Sequence, residues 1–182
     1  MEHIGTREID SERLKLRRYS INDAKELFEG YVNQKEFLYY SHHEPVTLDE
    51  EVEELQAVEE KYTKCVDYYN WAITLKDKGT IIGGIHLHIN PANDSAVFNY
   101  AIDNRYINNG YMTEALKAVT NYAFNDMKLN RFEGACVQKN NASKRVMEKC
   151  GFIYEGTKRK CVKLCDGYHD MLVFGLVKSD LK

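Results

Sequence analysis

The stretch Arg105-Tyr106-Ile107-Asn108-Asn109-Gly110-Tyr111-Met112-Thr113-Glu114-Ala115 decides how the rest of the chain is read. It is a polar turn between two apolar patterns. Ala96 to Ile102 before it reads as a strand. After it, Met112, Ala115, Leu116, Val119, Tyr122, Ala123 and Met127 recur at helical spacing, which predicts the longest helix, running to about Lys128. Backbone N–H groups at a helix start have no intrahelical acceptor, and with the helix dipole they attract anionic oxygens. Gly110 allows close approach or left-handed backbone, and Asn108 and Asn109 tolerate the same geometry. An anion nest is therefore feasible, although an ordinary strand-to-helix loop uses the same residue types. The loop is not a Walker sequence, because no Gly-Lys-Ser/Thr follows. Nor is it a dinucleotide fingerprint, because one glycine stands where three are needed.

Working back toward the N-terminus, Ile81 to Ile89 and the alternating Tyr69, Trp71, Ile73 and Leu75 predict two more strands, the latter half-buried. Asp77-Lys78-Gly79 and Asn90-Pro91-Ala92-Asn93-Asp94 supply the turns of an antiparallel meander. Trp71 on such a strand reads as core rather than as a stacking platform. Thr47 is placed to cap a helix with Leu48, Val52, Leu55, Val58 and Tyr62 on one face. Its other faces are acidic, which describes either a solvated surface or a rim attracting a cationic substrate. Ser20 opens an earlier helix with Ala24, Leu27, Phe28, Tyr31 and Val32 on one side, and Leu14 to Tyr19 is the first strand.

Toward the C-terminus, Arg131 to Val137 is a strand and Ala142 to Cys150 a short helix stopped by Gly151. Phe152 to Glu155 and Met171 to Val177 close the pattern as strands. Seven strands and four helices in this order predict an α/β domain over residues 1–182. Its mixed sheet of about seven strands is covered by helices on both faces.

Composition narrows the function classes. The 182 residues carry 25 Lys and Arg against 28 Asp and Glu, a net charge of −3, which argues against a dedicated nucleic-acid binder. No apolar run approaches the roughly 20 residues of a membrane helix, and the polar start of the chain does not read as a signal peptide. Cysteines 65, 136, 150, 161 and 165 are odd in number and form no C-x-x-C pair, so free thiols in a reducing cytoplasm are expected and no metal site is.

Three segments resemble one family. Gly110-Tyr111-Met112-Thr113-Glu114-Ala115-Leu116 is similar to the acetyl-CoA loop of GCN5-related N-acetyltransferases (GNAT), in the form G-Y-x-T-E-A-L of the RimJ/RimL subgroup. Ser11 to Arg17 resembles that subgroup's opening strand. Asn140 to Phe152, followed by Glu155-Gly156, resembles its N-x-A-S-x-x-V-x-E-K-x-G-F segment. Against the wider Gln/Arg-x-x-Gly-x-Gly/Ala pattern, only Gly110 is conventional, with Ile107 and Met112 in the other defined places.

The resemblance implies a GNAT fold and direct acetyl transfer from acetyl-CoA to a primary amine, a protein N-terminus or a small cationic amine. By that resemblance, Ile107, Asn108, Asn109, Gly110, Tyr111, Met112 and Thr113 hold the pyrophosphate. The strand through Phe98, Asn99, Tyr100, Ala101 and Ile102 splays from its parallel neighbour to admit the pantetheine arm, and N–H groups near Tyr100 and Ala101 polarise the thioester. Asn140 binds pantetheine amides, Arg145 and Lys149 reach the CoA phosphates, and Ser143 assists the departing thiolate. Ser143 is also a natural helix N-cap. Met147 stands where many members have a tyrosine, and Ala96-Val97-Phe98-Asn99-Tyr100 stands where many have Ala-Glu-x-Gly-Tyr, without the glutamate. The candidate bases are Glu44, His86, His88, His169 and Asp170, and Ser41-His42-His43-Glu44 is expected on the acceptor side. Phe98 and Met147 are candidates for shaping an acyl pocket. A homodimer is the assembly common among relatives. The alternative from another class is a CoA-binding regulatory module that has lost catalysis.

Overall fold

The computed structural model describes residues 1–41 and 44–181. Its strands are β1 (Ile9–Asp10), β2 (Leu14–Arg17), β3 (Tyr69–Leu75), β4 (Ile81–Asn90), β5 (Ser95–Ile102), β6 (Arg131–Val137), β7 (Ile153–Leu164) and β8 (Gly167–Val177). Its helices are α1 (Ala24–Glu29), α2 (Lys35–Ser41), α3 (Leu48–Lys64), α4 (Tyr111–Asn125) and α5 (Asn141–Lys149). The strands form one sheet in the order β1-β2-β3-β4-β5-β6-β8-β7. Only β5 and β6 pair in parallel; the other neighbours are antiparallel.

The sheet is mixed, as the sequence predicts, and among the described residues it has eight strands where about seven are expected. The extra strand, β1, has two residues, too few for an alternation to show. The side chains of β3 explain why both faces need helices. Tyr69, Trp71, Ile73 and Leu75 pack in the larger core with α4, while Ala72 belongs to a second core with Leu27, Leu55 and Val58 of α1 and α3. The strand is thus buried on both sides, not half-buried. Trp71 has no exposed surface, and its Nε1 donates to the Arg7 carbonyl at 2.7 Å.

Local chemistry sets the ends of the elements. Thr47 caps α3 in a reciprocal box: its Oγ1 accepts from Glu50 N, and the Glu50 carboxylate accepts from Thr47 N. Ser20 likewise starts a short 3₁₀ turn: its Oγ accepts from Asn22 N, and its N–H donates to the Asp23 carboxylate at 2.8 Å. The helix after it stops at Gly30, so Tyr31 and Val32 lie beyond it rather than on its face. Helix α2 has no fully buried side chain and so shows no apolar stripe in the sequence. Strand β7 runs nine residues past the expected Glu155. Its side chains are nearly all exposed, so its hydrogen-bond ladder with β8 defines it and burial does not.

Candidate functional site

At the end of β5 the chain is pinned by Asp103, whose carboxylate is fully buried. It accepts from the Arg105 N–H at 2.8 Å, the Arg105 guanidinium and the Gln34 amide at 3.0 Å. Burial opposes its charge, yet these donors hold its pKa below the usual carboxylate range. Beyond it the backbone turns left-handed at Asn108 (φ 62°) and Gly110 (φ 79°). The Asn109 amide closes the turn by donating to the Tyr106 and Ile107 carbonyls at 3.2 and 3.0 Å.

Arg13 locks this loop from β1–β2. Its Nη1 donates to the Asn109 carbonyl at 3.1 Å, its Nε to Glu114 Oε2 at 2.7 Å, and its guanidinium covers the Tyr111 ring. Partial burial works against the Glu114 charge, but bonds from the Arg13 backbone, Ser11 and the Arg13 side chain lower its pKa overall.

The N-terminus of α4 differs from those of α3 and α5. Gly110 stands at its N-cap with no side chain to accept a hydrogen bond, whereas Thr47 and Asn140 cap theirs. The helical ladder begins with Glu114 N donating to the Gly110 carbonyl at 3.0 Å. The N–H groups of Tyr111, Met112 and Thr113 therefore point out of the helix start with no intrahelical acceptor. Met112 turns its side chain into the core, where it is 5% exposed. Its bulk therefore lies away from the loop's open side. Ile107 is exposed.

Strand β5 leaves β6 early. The parallel pairing covers Ser95↔Arg131, Ala96↔Phe132 and Val97↔Glu133, and stops there. Beyond it, the Phe98 ring packs flat on Gly134, where an added Cβ would lie 2.3 Å from it. On its other edge β5 stays paired to β4 through Gly83↔Ile102, and Asp103 N donates to the Ile82 carbonyl at 2.8 Å. Alternation along that ladder points the Ala101 N–H at β4 and leaves those of Tyr100 and Ile102 facing the gap. The backbone donors at the gap are thus Tyr100 and Ile102, and not Ala101 as the resemblance implies, because the Ala101 N–H is turned to β4.

Helix α5 brings its side chains to the same gap. Asn140, not Ser143, is its N-cap, with Oδ1 accepting from Ser143 N at 3.0 Å and its Nδ2 left as a donor. The Ser143 hydroxyl lies 2.9 Å from the Tyr100 phenol. Burial raises the Tyr100 pKa strongly, so the phenol stays protonated at neutral pH. Burial raises the pKa of the Cys136 thiol, and Ser143 beside it works the other way. Sequence reasoning placed Tyr100 here for its backbone and missed its side chain. The only signal for the phenol was that Tyr100 follows Phe98 on the same face of the strand. Arg145 and Lys149 lie exposed one turn apart on α5. Phe98 and Met147 are core residues, Phe98 packed against Phe132 and Phe152 and Met147 fully buried.

On the other sheet face, α1, α2 and α3 enclose a pocket of about 110 Å³ lined by Tyr19, Tyr31, Phe37, Glu44, Glu51 and Glu54 among others. Of the candidate bases, only Glu44 reaches it. The His86 and His88 rings share one face of β4, with centroids 4.4 Å apart. Burial, then His88 and Lys61, lower the His86 pKa to about 4. His169 Nε2 pairs with Asp166 at 2.7 Å, and Asp170 accepts from Lys160 N. His42 and His43 lie outside the described residues.

Residues 13–153 match the family model described as the acetyltransferase (GNAT) domain. The chain belongs to the GNAT acetyltransferase family. It is 32% identical over 136 residues to the probable N-acetyltransferase YjcK of Bacillus subtilis, covering 74% of this chain and 75% of that protein. It is 26% identical over 168 residues to the ribosomal-protein-serine acetyltransferase of Escherichia coli, covering 92% and 94%. Among solved structures it is similar to the RimL ribosomal L7/L12 alpha-N-protein acetyltransferase in complex with coenzyme A. That match has a TM-score of 0.81 at 20% identity, covering 94% and 98% of the two chains, and is a likeness of fold. Membership of the GNAT family makes this chain an N-acetyltransferase, and the RimJ/RimL likeness of its three motif segments agrees with these relatives.

Proposed function

We propose that the chain moves an acetyl group from acetyl-CoA directly to a primary amine, either a protein N-terminus or a small cationic amine. The observation that carries this reading is the alignment of three features along one edge. They are the uncapped start of α4, the N–H groups of Tyr100 and Ile102 in the β5–β6 gap, and the Ser143–Tyr100 hydroxyl pair. The relatives named N-acetyltransferases, and a structural neighbour holding coenzyme A, support the choice of donor.

The residues fit such a donor. Left-handed Asn108 and Gly110 turn the loop so that the N–H groups of residues 111–113 face an anion, with Arg145 and Lys149 as outer cations. In the gap, the N–H of Tyr100 or Ile102 is positioned to bond the carbonyl oxygen on which negative charge grows as the amine attacks. As the new C–N bond forms, the C–S bond breaks and the sulfur leaves with the electron pair. The Ser143 hydroxyl, 2.9 Å from the Tyr100 phenol, supplies a hydrogen bond to that thiolate. The attacking nitrogen gives its proton to water or a nearby carboxylate.

The test is release of free thiol from acetyl-CoA by the purified protein with a panel of N-terminal peptides and small amines. Amine-dependent release supports the reading. Tight binding of CoA without release by any amine supports the regulatory-module alternative.

A further inference from the structure

The pocket beside α1, α2 and α3 holds a carboxylate that no described residue pairs with. Glu51 on α3 is 5% exposed, and among the described residues its carboxylate has no hydrogen-bond or ion-pair partner. Glu54, one turn on, and Glu44 line the same pocket, and among the described residues no lysine, arginine or histidine does. Burial and then the Glu54 charge raise the Glu51 pKa to about 7. An unpaired buried carboxylate costs several kcal/mol, so a site that keeps one is organised for a cation that arrives later.

The walls define which cation. Tyr31 and Phe37 meet edge to face with centroids 5.4 Å apart, and Leu27, Val32, Leu55 and Val58 complete an apolar sleeve. Aromatic faces and aliphatic side chains around a carboxylate suit an ammonium on an alkyl stem better than a guanidinium, which needs several planar acceptors. The pocket also adjoins the reacting edge. The Tyr19 hydroxyl, in its floor, lies where a Cβ on Gly84 would stand, and Gly84 is in register with Ala101, between Tyr100 and Ile102.

We infer that this pocket binds the alkylammonium arm of the acceptor, so that preferred acceptors carry one amine to be acetylated and a second, protonated amine on an alkyl spacer. This deepens, and rests on, the acetyl-transfer reading. The same chemistry is offered by a free α,ω-diamine and by a lysine side chain near a peptide N-terminus.

The experiment has a binding and a kinetic arm. Calorimetric titration of 1,5-diaminopentane and of the neutral 1,5-pentanediol into the protein saturated with CoA reads the pocket without needing turnover. Thiol release then compares the diamine with 1-aminopentane, and peptides with lysine or norleucine at the second position, which separates the two sources. The diamine is expected to bind about tenfold or more tighter than the diol, with Glu51→Gln bringing that ratio close to 1. Glu54→Gln, a milder change, is expected to narrow it. Equal binding of diamine and diol to the wild-type protein overturns the inference, as does a preference that survives in folded Glu51→Gln. Absence of thiol release with every amine strikes at the acetyl-transfer reading, whereas equal release with diamines and monoamines strikes only at this one.

Discussion

The Tyr100 phenol on β5 stands 2.9 Å from the Ser143 hydroxyl on α5, across the gap where β5 parts from β6. This contact joins a strand that offers backbone donors to a helix that offers a hydroxyl. It makes the pair a unit, because the phenol is buried and keeps its proton.

Removing either member is expected to slow the chemical step more than it weakens donor binding. Ser143→Ala and Tyr100→Phe should each lower kcat by roughly 10- to 100-fold while the KM for acetyl-CoA changes little. The double variant should lose little more than the worse single one, since residues in one hydrogen-bonded unit are not additive. Steady-state rates of thiol release check this. Additive losses contradict a shared role.

Gly110 carries φ 79° at the start of α4, and an added Cβ would stand 3.6 Å from Arg13 Nη2. Space is adequate, so the cost of Gly110→Ala is the left-handed backbone, about 1–2 kcal/mol. Donor affinity should fall several-fold with the KM for the amine unchanged. Titration of CoA into the variant measures it.

Gly134→Ala would drive a methyl into the Phe98 ring, which lies 2.3 to 2.9 Å from where the Cβ would be. Overpacking of this kind costs about 1–3 kcal/mol. Chemical denaturation should show a lower midpoint at unchanged slope.

Glu51 gives a pH signature to stability. Its pKa is raised from 4.5 to about 7 on folding, so between those values the folded state binds more protons than the unfolded one. Stability then falls as pH rises through this window and stays lower above it, by up to roughly 3 kcal/mol. In Glu51→Gln that contribution is absent. The stability difference between variant and wild type should therefore grow in the variant's favour from pH 4.5 to 7.5 in denaturant melts. A difference independent of pH contradicts the buried, unpaired carboxylate.

Much of the fold was legible because it rests on local chemistry. The meander from Tyr69 to Ile102, the strand Arg131–Val137 and the helix opened by Thr47 follow from alternation, turn residues and a capping box. The loop at Asn108 and Gly110 was legible from residue types that accept positive φ. Less visible were elements whose stability comes from elsewhere. Helix α2 has no fully buried side chain, and most of β7 faces solvent, so neither writes an apolar period. In the site, the phosphate-type loop was read from its glycine and the family likeness. The Tyr100–Ser143 contact required knowing that β5 and α5 meet 43 residues apart in sequence. Glu51 was hidden among seven acids on one helix, and only its position facing α1 sets it apart.

The most direct measurement is calorimetric titration of acetyl-CoA into the purified protein at fixed salt, followed by thiol release on addition of amine. Micromolar binding, about −8 kcal/mol, with amine-dependent release is the predicted result. Absence of binding at millimolar acetyl-CoA would contradict the assignment of the α4 start and the β5–β6 gap as the donor site.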